Sequence, residues 1–257
     1  MVEAFLILLA GGVLLACVIS DPWQVTLQWL RLAGLIALTG LGMSAFFFFR
    51  IGGWSGGVVQ LYAACGAAIL GQLGYVQVGN RAAQRIFAGM GFCLCVILGG
   101  DLLGPNDRWF QMPGMQAGVL IVTCGGVSAL CGLALMDMLL GHAYLTASKM
   151  TIQPFKRLNR SVIVTMAFRL VCSTLLVCLL MSKGKPVEQM WNLYLFYIGT
   201  RWLVGLAVPA VFVWMAHECI KRRSTQSATG ILYVAGVLIF IGEIIALHLV
   251  NETGLTF

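Results

Sequence analysis

The sequence predicts an all-α, polytopic integral membrane helix bundle with eight transmembrane helices. Two observations carry that prediction. The chain of 257 residues is 60% hydrophobic and only 10% charged, against about 25% charged in soluble domains. Apolar runs long enough to cross a bilayer recur along its whole length, and they are continuous rather than alternating, which excludes a membrane β-barrel. Nothing is left over for a soluble domain, so residues 1–257 read as a single transmembrane domain.

The spans fall at roughly 3–20, 27–49, 57–79, 85–103, 115–144, 161–182, 190–219 and 228–250. Asp21-Pro22, the run Gly52-Gly53-Trp54-Ser55-Gly56-Gly57, Gly104-Pro105-Asn106-Asp107 and Gly184-Lys185-Pro186 punctuate them. The softest boundary is the first, where residues 23–32 are amphipathic and suit the interface. The first apolar run, with Leu14-Leu15-Ala16-Cys17, invites a signal-peptide reading. It lacks a cationic start and carries Glu3 instead, so a retained span is expected. The second, fourth, sixth and eighth spans return the chain, and the glycines of the third to fifth predict close helix packing or a subunit interface. Pro209 interrupts the seventh.

The cations set the orientation. Arg31, Arg81, Arg85, Lys149, Lys156, Arg157, Arg160, Lys221, Arg222 and Arg223 follow or flank the odd-numbered spans. Arg50, Arg108, Lys183 and Lys185 lie on the other side, with Asp101, Asp107, Glu188 and Glu252. By the positive-inside rule both termini are periplasmic, in a multi-pass protein of a bacterial-type inner membrane. The net charge of +7 is then topological and calls for no nucleic acid. The polar stretch GHAYLTASKMTIQPFKRLNR at 141–160 is mostly a cytoplasmic loop. The run Lys221-Arg222-Arg223, with Ser224 or Thr225 as a helix cap, suits anionic lipid headgroups.

The nine cysteines all lie in or at the end of spans, with no C-x-x-C and no zinc spacing. They read as small hydrophobes, and no metal site is expected.

Ionisable residues inside spans carry the functional expectation. Asp137 lies a couple of turns from the cytoplasmic end of span five, and Arg169 about two turns into span six. Arg201 and Glu243 are matched nearer the outer face. The depths predict two pairs, Asp137–Arg169 and Arg201–Glu243. Each pair either fixes helix register or builds a polar pocket or proton path. His142 and His217 end spans five and seven, and Tyr144 stands beside the first. Two histidines on different helices are the ligand set of a b-type haem, but helix ends lack the apolar walls a macrocycle needs. The candidate cofactor-binding residues are therefore His142, His217, Tyr144, Asp137, Arg201 and Glu243, with quinone ahead of haem b as the group they would serve.

The segment IGEIIALHL at 241–249 resembles the last helix of the quinol-oxidising membrane anchors of the dimethyl-sulfoxide-reductase and polysulfide-reductase type. In that family a basic residue follows the glutamate, where this chain has Leu247 and then His248. The resemblance implies eight spans with outside termini. It also implies a quinone-reactive subunit of a larger oxidoreductase complex, whose partner subunits hold the iron–sulfur and catalytic centres. The other expectation from the buried charges is a small-solute, ion or proton carrier. No inverted repeat is visible in support of it.

Overall fold

Helix α1 (Val2–Ile19) is apolar on every side, and ten of its residues are buried. An evenly apolar helix can be covered by lipid or by protein, and here protein covers it. In the computed structural model α1 packs against α2 (Leu27–Arg50) and α4 (Arg81–Leu103), and α3 (Gly56–Val78) closes the circuit between those two. A second circuit repeats the order. Helix α5 (Gly114–Thr146) packs on α6 (Gln153–Ser182) and α9 (Thr225–Thr253), and α8 (Val208–Lys221) touches both of those. Helix α8 continues the short α7 (Trp191–Trp202) through a π-helical turn, Leu203–Ala207. The structure describes residues 1–21, 23–50, 56–103, 114–146, 151–182 and 191–253. Among these, eight helical segments are long and apolar enough to cross a membrane, which makes the chain a multi-pass membrane protein.

The two halves meet where α1 crosses α5. A Cβ on Gly12 would stand 1.7 Å from the Ser128 carbonyl oxygen, and one on Gly132 would stand 2.0 Å from the Gly12 carbonyl carbon. The Ser128 hydroxyl donates to the Leu8 carbonyl at 2.7 Å, tying the crossing with a hydrogen bond. Between membrane helices such close approach replaces the hydrophobic drive that lipid removes. The glycine-rich third to fifth spans are a mixed case. Gly71, Gly91, Gly99, Gly126 and Gly132 are tightly covered, whereas Gly74, Gly118 and Gly125 face open space. The central helices are α1 and α5, and the Gly11-Gly12 pair of α1 was the sign of it.

Helix starts explain where the expected boundaries shift. Asp21 accepts the Trp23 N–H at 3.1 Å and the Gln24 side-chain amide at 2.9 Å, which makes a turn of the segment between α1 and α2. Thr26 then accepts the Trp29 N–H at 3.3 Å, and α2 starts at Leu27 with no separate interfacial helix. Asn80 accepts the Ala83 N–H at 3.1 Å, so α4 begins at Arg81, one turn before the expected start. Helix α6 begins at Gln153 with Pro154 in its first turn, two turns before the expected 161. Helix α8 ends in a Schellman turn. Ser224 N–H reaches the Cys219 carbonyl, Arg223 N–H reaches that of Ile220, and Arg223 sits at φ 60°. Ser224 stands at the cap of α9, where its hydroxyl donates to the Ser227 hydroxyl at 3.1 Å.

The π turn sits against Pro209, as the interruption of span seven required. Pro209 has no N–H for the carbonyl one turn back, and the wider turn closes instead through Val208 N–H to the Leu203 carbonyl. The expected breaks at 51–55, 104–113 and 183–190 lie outside the described residues. So do Pro22, Arg108, Asp107, Lys149, Lys183, Lys185 and Glu188.

Candidate functional site

Two polar clusters are buried in the second half. The first joins three helices at Glu243 of α9. Arg169 of α6 donates from Nη2 to Glu243 Oε2 at 2.6 Å and from Nε to Oε1 at 3.3 Å. Arg201 of α7 donates from Nη2 to Glu243 Oε1 at 2.7 Å. All three side chains are at most 1% exposed. Two cations share one carboxylate, so the cluster carries a formal charge of +1 (2 − 1).

Glycines make room for these long side chains. A Cβ on Gly126 of α5 would meet Arg169 Cδ at 2.6 Å. Gly205 of the π turn and Gly242 of α9 lie against each other, and a Cβ on either would come within 3.1 Å of Arg201 Nη1. The guanidinium of Arg201 therefore lies along a seam of bare backbone. Its Nε and Nη1 have no hydrogen-bond partner among the described residues. Uncompensated buried donors of this kind are costly and rare in finished cores. Next to the cluster, Trp202 Nε1 donates to Ser173 Oγ at 2.9 Å, one turn beyond Arg169.

The expected Arg201–Glu243 pair is thus formed, and the expected Asp137–Arg169 pair is not. The reason is the start of α6. Counted from Gln153, Arg169 lies roughly 24 Å into the helix by helical rise, level with Glu243 and well past Asp137.

Asp137 belongs to the second cluster, nearer the cation-rich end. Its Oδ2 accepts from Asn159 Nδ2 of α6 at 2.9 Å, and Asn159 Oδ1 meets His217 Nδ1 of α8 at 2.9 Å. Asp137 and Asn159 are fully buried, and Asp137 Oδ1 has no partner among the described residues. The amide orientation fixes the ring tautomer. The amide oxygen can only accept, so His217 Nδ1 carries the proton and Nε2 is left for other use. Asn159 was missed in the sequence because it stands between Leu158 and Arg160 in the cationic stretch ahead of the expected start of span six at 161.

The remaining candidates are placed apart from both clusters. His142 is exposed, and no hydrogen bond or ring contact joins it to the buried His217. Tyr144 stacks on Phe155 with ring centroids 5.3 Å apart, and its hydroxyl donates to the Thr151 carbonyl. Both contacts close the α5–α6 hairpin, so Tyr144 serves structure there. His248 lies 5.5 Å from the Tyr197 ring. The first half has buried amides of its own. Gln72 donates to the Leu30 carbonyl at 3.4 Å, and Gln84 is buried with neither amide atom partnered among the described residues.

Between the levels of the two clusters, Leu130 and Leu133 of α5, Val162 and Met166 of α6, and Leu232 and Ile239 of α9 are buried apolar side chains, and the buried Ser128 hydroxyl is turned to the Leu8 carbonyl. No protein-family model, curated protein or solved structure matches the chain.

Proposed function

We propose that the chain is an integral membrane subunit of an electron-transfer complex, and that the Arg169–Glu243–Arg201 cluster holds the headgroup of a quinone. One observation carries the proposal: beside a carboxylate, the buried Arg201 keeps two nitrogens, Nε and Nη1, whose N–H groups have no partner among the described residues. A quinone carbonyl oxygen is an acceptor of the right kind for those donors. Oxidation of a quinol releases two electrons and two protons. The electrons pass to redox centres on partner subunits, Glu243 is the base beside the headgroup for one proton, and the second proton leaves to the aqueous phase. Glu243 also lies in the segment that resembles the quinol-oxidising anchors. The cation-rich end, which holds Arg157, Arg160, Arg222 and Arg223, is cytoplasmic on this reading and meets anionic lipid headgroups.

The apolar layer between the clusters favours a bound headgroup over the solute or ion carrier, which needs a continuous polar route. The test is quenching of tryptophan fluorescence by a short-tailed menaquinone or ubiquinone added to the purified protein in nanodiscs. Wild-type protein should bind saturably, and Arg201→Leu should bind about tenfold more weakly or worse, as loss of a charged hydrogen bond predicts. Circular dichroism checks that the variant is folded. Equal affinity in wild type and variant, or no saturable binding to wild type, overturns the assignment.

A further inference from the structure

We propose that Asp137, Asn159 and His217 form a site that binds one proton, with Asn159 as an amide switch coupling the carboxyl to the ring. The site is distinct from the Glu243 cluster and does not depend on what that cluster binds.

The inference begins with what each group can donate. With Asp137 ionised, Asn159 must point its NH2 at the carboxylate and its oxygen at His217, which must then hold its proton on Nδ1. This is the arrangement present. It leaves Asp137 Oδ1 buried without a partner among the described residues. An anionic oxygen there is more costly than the neutral oxygen of an acid.

Adding one proton has a second solution in which both hydrogen bonds of the Asp137–Asn159–His217 relay are made again. The Asp137 carboxyl becomes an acid and donates O–H to Asn159 Oδ1 after the amide has turned end for end. Asn159 NH2 then donates to His217 Nδ1, which must have given up its proton, and the ring proton moves to Nε2. The count balances. One proton is shared before (Nδ1–H) and two after (Asp137 O–H and Nε2–H), with no electron moved. The net charge of the three residues rises from −1 to zero, so the protonated site is neutral inside the bundle.

The surroundings allow the switch to act alone. No charged group faces Asp137 among the described residues. His217 lies at the edge of the bundle and faces Lys156 and Arg160 of α6, and Lys221 and Glu218 of α8. From α9 the uncharged Thr229 packs on Gly141, one turn beyond Asp137. The proton therefore enters by way of the ring at the cation-rich end, and the amide couples that event to Asp137.

The test uses the full-length protein in lipid bilayers between pH 5 and 9. Infrared difference spectra report a carboxylic-acid band, assigned to Asp137 by its loss in Asp137→Asn. Nitrogen-15 spectra of labelled histidine report the tautomer of His217, assigned by His217→Gln. The expected result is that the acid band appears as the proton of the neutral ring moves from Nδ1 to Nε2, with one shared midpoint. Asn159→Leu should split that midpoint in two. An imidazolium signal without an acid band, different midpoints in the wild type, or no change in either signal overturns the proposal. The wild-type coincidence decides the matter by itself if Asn159→Leu does not fold.

Discussion

At the scale of single residues, Glu243 answers for two cations, and that makes its neighbours unequal. Replacing Glu243 by Leu takes from Arg169 and Arg201 the buried carboxylate they share. Breaking a buried pair by removing one partner costs about 3–5 kcal/mol. Replacing Arg201 by Leu leaves Arg169 and Glu243 as a neutral pair with two hydrogen bonds, so its cost should be clearly smaller. The double Leu variant should recover little of the loss, because it still takes the carboxylate from Arg169. Unfolding of the purified protein by a denaturing detergent would rank the three. An Arg201→Leu loss equal to that of Glu243→Leu would remove the shared carboxylate from the account. Depth alone identified Arg201 as the partner of Glu243. It mispaired Arg169 because apolar character marks where lipid begins, not where a helix begins. The first two turns of α6 carry Lys156, Arg157, Asn159 and Arg160 and are invisible to a hydropathy window.

At the scale of elements, the α1–α5 crossing has the narrowest tolerance. Gly12→Ala and Gly132→Ala each place a methyl group against backbone rather than against a side chain that can turn away. The helices would have to separate, at a cost of about 1–3 kcal/mol for overpacking. Gly74→Ala and Gly118→Ala put the same methyl into open space and should change the melting temperature in detergent little. Comparable shifts from the two sets would mean that the crossing does not limit stability. The existence of all eight spans was legible in the sequence, since each needs only length and apolar content. The central place of α1 was not, because a helix that is apolar all round looks the same under lipid and under protein. Its Gly11-Gly12 pair was a sign, but glycine content also pointed to α3, where Gly74 meets nothing.

At the scale of the whole molecule, alternation of eight spans puts both termini on one face and sorts the charges by end. Among the described residues, one end gathers Arg31, Arg81, Arg85, Lys156, Arg157, Arg160, Lys221, Arg222 and Arg223, while the other has Arg50. The Asp137 cluster lies toward the first end. Glu243 lies toward the second, about 15 Å from the end of α9 by helical rise. Orientation therefore decides which compartment exchanges protons with each site. The positive-inside rule predicts that Arg222→Cys, at an exposed position, reacts with a membrane-impermeant maleimide only in inverted vesicles. Arg50→Cys, also exposed, should react in intact cells. Native Cys93 and Cys178, though exposed on the isolated chain, lie within helices and would face lipid, out of reach of a polar reagent. The opposite labelling pattern would turn the molecule over. The Asp137–Asn159–His217 site would then draw its proton from outside, and quinol oxidation at Glu243 would release protons toward the cytoplasm, so that one labelling experiment fixes the direction of both.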